Sequence, residues 1–252
     1  MHVLVTGASS GIGEAIAREY LGRGATLTLV ARRRHLLDAL VDGLPPGRAL
    51  VLDRDLAEPD AAAAVIDEAT RALGPIDILI NNAGVQIVGP FVDTPIADGE
   101  RLLRLDLLTP LRLTHAVLPS MIARRAGTIV DIASVAGLVP APGMAYYNAA
   151  KAALAAASEG LRAEIAHHGV HVVTVYPGPV ESAMEAAARA RYPKSAAVHG
   201  LPTGTPAALA RRIAAAVDRR RPRVIYPRVY ALSRHFPALA RWITDRLTPR
   251  LD

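Results

Sequence analysis

The 252-residue chain contains no cysteine. Disulfides, zinc–thiolate sites, iron–sulfur clusters and thiol nucleophiles are therefore excluded, and redox compartment is left open. Lysine is nearly missing too: Lys151 and Lys194 are the only two, and arginine carries almost all the positive charge. No apolar run approaches the ~18 residues that would span a bilayer. Met1–Gly7 leads straight into an apolar stretch without a basic n-region, so no signal peptide is expected and a cytoplasmic location is. Aromatic residues make up only 4% of the chain. The net charge of +6 raises the question of nucleic acid, but the arginines are dispersed, with small clusters at Arg32–Arg34, Arg124–Arg125 and Arg219–Arg223. No zinc-finger, helix-turn-helix or aromatic RNA-binding signature accompanies them, so no nucleic-acid partner is expected. The eight histidines include His167-His168 but no HExxH-like spacing, and no metal site is expected.

What is present is an apolar chain, 51% hydrophobic, long enough for a large core. Short Val/Ile/Leu-rich runs fall at His2–Thr6, Thr26–Ala31, Ala49–Asp53, Ile76–Asn81, Gly127–Ala133, Val170–Tyr176 and Arg223–Tyr226. They do not alternate with polar residues, as befits strands covered on both faces. Helical stretches lie between them near 12–23, 33–43, 58–73, 97–125, 145–168 and 204–220, the last starting at Thr205-Pro206. Such alternation predicts a single-domain α/β fold, a Rossmann-like doubly wound parallel sheet of about seven strands over residues 1–252.

Thr6-Gly7-Ala8-Ser9-Ser10-Gly11-Ile12-Gly13 follows the first strand and opens the first helix. Glycines there allow a tight turn, close approach of a pyrophosphate and close helix–strand packing, while the helix N-terminus offers free N–H groups. At the end of the second strand an acidic residue would select NAD through the ribose 2′-OH. The chain instead reads Val30-Ala31-Arg32-Arg33-Arg34. Arg32, and after it Arg33, can grip a 2′-phosphate, which favours NADP (NADPH) over NAD; the plainer alternative is a solvated helix start.

Tyr147 and Lys151, at i and i+4, share a helix face, and Ser134 stands thirteen residues earlier at the end of a strand. Together with the glycine loop, with Asn81-Asn82-Ala83-Gly84 after the fourth strand and with Tyr176-Pro177-Gly178-Pro179-Val180 after the sixth, these residues resemble the short-chain dehydrogenase/reductase family over residues 2–226. The resemblance implies that Tyr147 is the catalytic acid/base, that Lys151 lowers its pKa and holds the nicotinamide ribose, and that Ser134 positions the substrate oxygen. It further implies a cofactor site of Gly7, Ser9, Ser10, Gly11, Ile12, Gly13, Asp55, Leu56, Asn81, Ala83, Gly84, Pro177, Gly178 and Val180, with Tyr147 and Lys151 reaching the ribose. A homodimer or homotetramer is the implied assembly. A free tyrosine ionises near pH ~10, and a cation within ~4–6 Å favours phenolate, so the pairing makes chemical sense.

The pattern is broken at one position. Where many members carry an asparagine, this chain has Leu105-Asp106-Leu107, with Leu118-Pro119 at the usual distance. Asp106 is expected to accept from water feeding Lys151, while its charge partly offsets the field of Lys151 on Tyr147. Residues 182–202 fall where the family places its substrate loop, with Met184, Tyr192, Val198 and Leu201 beside Arg189, Arg191 and Lys194. Val135, Leu138, Val139, Pro140, Met144 and Tyr146 are expected to make an apolar wall near Ser134. A lipophilic carbonyl or alcohol suits such a pocket.

Residues 228–252 extend beyond the last strand, with Val229, Leu232, Phe236, Leu239, Ile243 and Leu247 at helical spacing among arginines. This reads as a helical extension on the substrate entrance or on a partner subunit, or alternatively as a weak membrane-surface contact. Two other functions stay open. One is a 3-oxoacyl-[acyl-carrier-protein] reductase, with Arg124 and Arg125 facing an acidic carrier. The other is a non-catalytic dinucleotide sensor or scaffold.

Overall fold

The structure, a computed structural model, describes residues 1–192 and 200–248. Lys194 and Val198 of the substrate segment, and the last four residues of the extension, lie outside the described residues. One sheet of seven strands forms the centre: β1 (His2–Thr6), β2 (Thr26–Ala31), β3 (Ala49–Asp53), β4 (Ile78–Asn81), β5 (Thr128–Ile132), β6 (His171–Pro177) and β7 (Arg223–Tyr226). Their order is β3-β2-β1-β4-β5-β6-β7 and every pairing is parallel. Four strands match the sequence reading residue for residue; the others shift at their ends by one or two residues, within the fraying of such boundaries.

Alternation along each strand divides the apolar residues between two layers. Val3, Val5, Leu27, Leu29, Val173 and Val175 pack under α1 (Gly11–Gly22), α2 (Arg34–Val41) and α8 (Pro206–Asp218). Leu4, Leu79, Ile129 and Val172 pack under α3 (Ala61–Leu73), α5 (Thr109–Arg124) and α6 (Ala145–Ile165). Each large side chain so enclosed contributes about 1.5–3 kcal/mol. Both faces being covered explains why the strands read as unbroken apolar runs.

The helix expected over 97–125 is not regular. α4 (Ile96–Leu103) passes through a π-turn at Arg104–Leu108 before α5, and the Thr109 N–H reaches back five residues to the Arg104 carbonyl. The Thr109 hydroxyl donates to the same carbonyl at 3.0 Å and to Leu56 O at 2.6 Å. α6 ends at Ile165 and closes with a 3₁₀ turn at Ala166–His168. α7 (Ala183–Arg191), absent from the sequence reading, follows Ser182, whose hydroxyl accepts from Glu185 N. Beyond β7, α9 (Ala231–His235) and α10 (Pro237–Leu247) form the extension.

Because β1 and β4 are neighbours while their crossovers run in opposite directions, a crevice opens at the carboxyl ends of the strands. The cleft, about 550 Å³, lies there.

Candidate active site

The glycine loop forms one end of the cleft. Gly7 adopts φ +66°, and a Cβ on it would come within 2.9 Å of Ala83 Cα. A Cβ on Gly13 would collide with the Gly7 carbonyl, so Gly13 serves helix–strand packing and does not line the cleft. Gly7, Ser9, Ser10, Gly11 and Ile12 do line it. Ser10, extended at the N-cap of α1, makes no side-chain cap. The first-turn amides of α1 therefore remain available to an anion. Ala31, at the end of β2, also lines the cleft, beside Arg32 and Arg33. Arg33 Nη2 donates to Ser9 Oγ at 3.0 Å and to Ser10 Oγ at 2.7 Å, whereas Arg32 makes no ion pair among the described residues. Neutral hydroxyls and an unpaired guanidinium leave cationic capacity for a phosphate.

Asp55 and Leu56 lie further along this wall. Burial works to raise the Asp55 carboxyl, but the Ala57 N–H at 3.0 Å and Arg101 Nη2 at 2.5 Å hold it below the usual aspartate value. Of the two consecutive asparagines, Asn82 faces the cleft. Its side chain donates to Thr6 O at 2.9 Å and its backbone N–H to Thr6 Oγ1 at 2.9 Å, fixing the loop. Asn81, last residue of β4, is buried below the floor and donates to Asp131 Oδ1 at 2.8 Å and Thr114 Oγ1 at 3.2 Å. It does not line the cleft. Ala83, Gly84, Pro177, Gly178 and Val180 do.

Ser134, Tyr147 and Lys151 converge at the centre. Ser134 leaves β5 in extended conformation, and its Oγ accepts from Ala136 N at 3.1 Å. Tyr147 and Lys151 project from α6, with Nζ 5.7 Å from the phenol ring centroid. Lys151 Nζ donates to Ile132 O at 3.0 Å and stands 3.2 Å from Asp106 Oδ2. Asp106 sits in the π-turn with no exposed surface, and its Oδ1 accepts from Val85 N at 2.8 Å. Gly84 lets it approach: a Cβ there would lie 2.7 Å from Oδ2. Asp106 thus meets Lys151 directly, where the sequence reading interposed a water.

The electrostatics follow from burial. Desolvation disfavours the Lys151 ammonium, yet Asp106, Tyr147 and Asp131 overcome it and hold the lysine charged, above its ordinary value. Burial pushes the Asp106 carboxyl up, against the pull of Lys151. Burial likewise raises the Tyr147 phenol, with Asp106 adding to the rise. Lys151 and a hydrogen bond from Ser134 act in the lowering sense but do not prevail. The expectation that Lys151 brings this phenol below its usual range thus holds for the sign of one interaction and not for the net.

Val135, Val139, Met144, Met184, Tyr192 and Leu201 form the apolar end of the cleft. Leu138, Pro140 and Tyr146 stay outside it; Tyr146 stacks on Phe91 with centroids 5.4 Å apart. Tyr230, Ile243 and Leu247 complete the wall from the extension, and the Tyr230 hydroxyl donates to Pro202 O at 3.1 Å.

Comparison with known proteins gives a consistent result. Residues 1–193 match the family model described as short chain dehydrogenase. The chain is 37% identical over 254 residues to a fatty acyl-CoA reductase of Mycobacterium tuberculosis, covering 98% of this chain and 84% of that protein. It is 38% identical over 187 residues to a short chain dehydrogenase of Pseudocercospora fijiensis, covering 73% of this chain but 60% of that relative's length. A solved short-chain dehydrogenase from Streptomyces avermitilis superposes with a TM-score of 0.83 at 32% identity, covering 97% of this chain and 94% of the other. The chain belongs to the short-chain dehydrogenase/reductase family of oxidoreductases.

Proposed function

We propose that the protein is an NADP(H)-dependent oxidoreductase that interconverts a lipophilic carbonyl compound and its alcohol. The observation that carries this reading is convergence: Ser134, Tyr147 and Lys151 meet in a cleft with an uncapped helix N-terminus and Arg32/Arg33 at one end and apolar side chains at the other. The residues fit a dinucleotide, since Gly7 opens the loop to close approach and the α1 amides and arginines match phosphates. When bound, the nicotinamide supplies or accepts the hydride at the carbonyl carbon.

The chain's own residues handle the oxygen. In reduction the Tyr147 hydroxyl delivers a proton to it, and the raised phenol value keeps that proton in place at neutral pH. Ser134 Oγ donates to the oxygen as negative charge grows there. Lys151, fixed by Ile132 O and Asp106, presents an ammonium that favours the phenolate left behind. Tyr147→Phe is expected to lower turnover by roughly 10²–10⁴-fold while NADPH affinity stays within about twofold. The check is hydride transfer over a panel of long-chain aldehydes, ketones and alcohols with both cofactors; wild-type turnover by Tyr147→Phe would overturn the mechanism.

NADPH is expected to bind at least tenfold tighter than NADH at low salt. A charge-assisted contact of ~1.5–3 kcal/mol corresponds to roughly ten- to a hundredfold. Calorimetric titration decides it, with Ala31→Asp combined with Arg32→Ser expected to reverse the order; equal affinities would reduce Arg32 and Arg33 to a solvated helix start.

The similarity to a fatty acyl-CoA reductase runs through the extension and supports a long apolar substrate. A relative named ketoacyl reductase, from a Nostoc species, is 34% identical over 88% of this chain and keeps a ketoacyl substrate in view. The arginines expected to face an acidic carrier point elsewhere: Arg124 donates to Ile76 O and pairs with Asp77, both preceding β4, and Arg125 donates to His167 O before β6, at the amino ends of the strands, opposite the cleft. A carrier would need a different basic contact.

A further inference from the structure

Tyr230 lies beyond β7 and beyond the residues that match the family model, yet it lines the cleft. It ends a 3₁₀ turn at Arg228–Tyr230, and its backbone N–H donates to Pro227 O at 3.1 Å. Its ring is seated on Gly178: a Cβ there would lie 2.6 Å from Tyr230 Cδ2 and 2.7 Å from Cε2. Gly178 does not have a positive φ, so the ring, and not the backbone conformation, is what excludes a side chain at this position.

Gly178 stands at the reactive end. Ser134 Oγ lies 3.5 Å from Pro177 O, and Pro177, Gly178 and Val180 line the cleft together with Ser134, Tyr147 and Lys151. A dinucleotide gripped at the glycine loop must bring its nicotinamide to this end if hydride is to reach a carbon whose oxygen meets Tyr147. The backbone of 178–181 is fixed from several sides. Gly178 N–H donates to Tyr226 O at 2.8 Å, Glu181 N–H to Gly204 O at 2.9 Å and Gly204 N–H to Pro179 O at 2.9 Å. The Tyr230 ring closes the remaining side over Gly178, with its hydroxyl tied to Pro202 O at 3.1 Å. Tyr230 is anchored in turn by α9. Arg234 donates to both carboxylate oxygens of Glu159 at 3.0 and 3.1 Å, and its guanidinium lies 5.8 Å from the ring centroid of Tyr176, two residues before Gly178.

We propose that Tyr230 is a positioning residue for the nicotinamide half of the cofactor: its ring braces the Gly178–Val180 backbone that seats this half beside Ser134 and Tyr147. A tyrosine ring has only two rotatable bonds, which makes it a stiff backing for a residue without a side chain. The ring carries the effect, and the hydroxyl serves to orient it. The segment beyond β7 thereby contributes to the reactive end, not merely to the rim of the cleft. This inference rests on the dinucleotide reading of the cleft, and its test separates the two.

Calorimetric titration compares NADPH with 2′,5′-ADP, which keeps the adenosine phosphates and lacks the nicotinamide. NADH and ADP-ribose make a second pair, free of any 2′-phosphate preference. Tyr230→Ala is expected to bind 2′,5′-ADP within about twofold of wild type and NADPH roughly tenfold more weakly, while Tyr230→Phe keeps NADPH within about twofold. On a substrate that wild type turns over, Tyr230→Ala should lower kcat by up to roughly a hundredfold, because small misplacements of reacting atoms are costly. Gly178→Ala approaches the same contact from its other side and should also weaken NADPH. The double variant Gly178→Ala/Tyr230→Ala should be no weaker than either single one, since the added methyl then has room. An unchanged ratio of NADPH to 2′,5′-ADP affinity in Tyr230→Ala would overturn the inference, as would losses that multiply in the double variant. Equal weakening of both ligands would overturn it too, because the ring would then support the cleft as a whole. Wild type that binds neither NADPH nor NADH would overturn the dinucleotide reading along with it.

Discussion

Asp106 brings a buried carboxylate to 3.2 Å from the Lys151 ammonium, and its charge adds to the rise that burial imposes on the neighbouring Tyr147 phenol. Asp106 raises the Tyr147 phenol, so removing its charge must lower that value. Asp106→Asn is expected to move the limb of the pH–rate profile that belongs to Tyr147 by about one unit toward lower pH. In reduction, where the phenol must be protonated, activity would fall away at a lower pH; in oxidation it would rise at a lower pH. An unmoved limb under chemistry-limited turnover would mean that Asp106 does not act on the phenol. The trio itself was legible because Tyr147 and Lys151 share one helix turn and Ser134 follows shortly after a strand. The Asp106–Lys151 contact joins residues far apart in sequence through a π-turn, which residue types alone do not reveal. Asn81 and Asn82 teach a related point. Successive strand residues face opposite ways, so a single position separates an asparagine under the sheet from one in the cleft.

Elements were readable in proportion to the strength of their local signals. β1, β2, β3 and β7 stand where apolar runs end at glycine, charge or proline. The π-turn was not readable, because Arg104–Leu108 carries no glycine or proline and its leucines continue the helical pattern on either side, so nothing in the residue types marks the extra residue in the turn. α7 lacks an apolar stripe, yet Ser182-Ala183-Met184-Glu185 carries the capping-box pattern and would have marked its start. Glu159 shows how elements are tied together. From α6 it accepts from Tyr176 of β6 at 2.6 Å, from Arg223 beside it in β7 at 2.7 Å on each oxygen, and from Arg234 of α9. Those donors, Arg223 first, hold its carboxyl far below the ordinary glutamate value of 4.5. A depressed folded value adds stability above pH 4.5 that fades as pH falls through the folded value. Glu159→Gln is expected to cost about 1–3 kcal/mol near neutrality, and the gap in Tm to wild type should narrow in acid. Differential scanning calorimetry across pH checks this; a gap that is constant with pH would show the cluster to be electrostatically idle.

At the scale of the molecule, ligand binding and folding are linked. A dinucleotide at a hundredfold excess over its Kd adds about 2.7 kcal/mol to the folded state. For a domain of this size that corresponds to a rise in Tm of roughly 5–10 °C. NADP⁺ is expected to give this shift at concentrations where NAD⁺ gives little, and thermal denaturation with each separates them; equal shifts at equal concentration would contradict the proposed preference. The linkage has a location. Gly7–Ile12, Arg32 and Asp55 come from the chain before β4, and Ser134, Tyr147, Lys151 and Pro177 from the chain after it begins. The two portions meet where Val3 pairs with Ile78 and Val5 with Ile80. Neither portion alone offers a complete set of walls, so the cleft works as a coincidence detector. A ligand that bridges both portions would bind only chains in which that seam has closed, and its binding free energy would count toward keeping the seam closed.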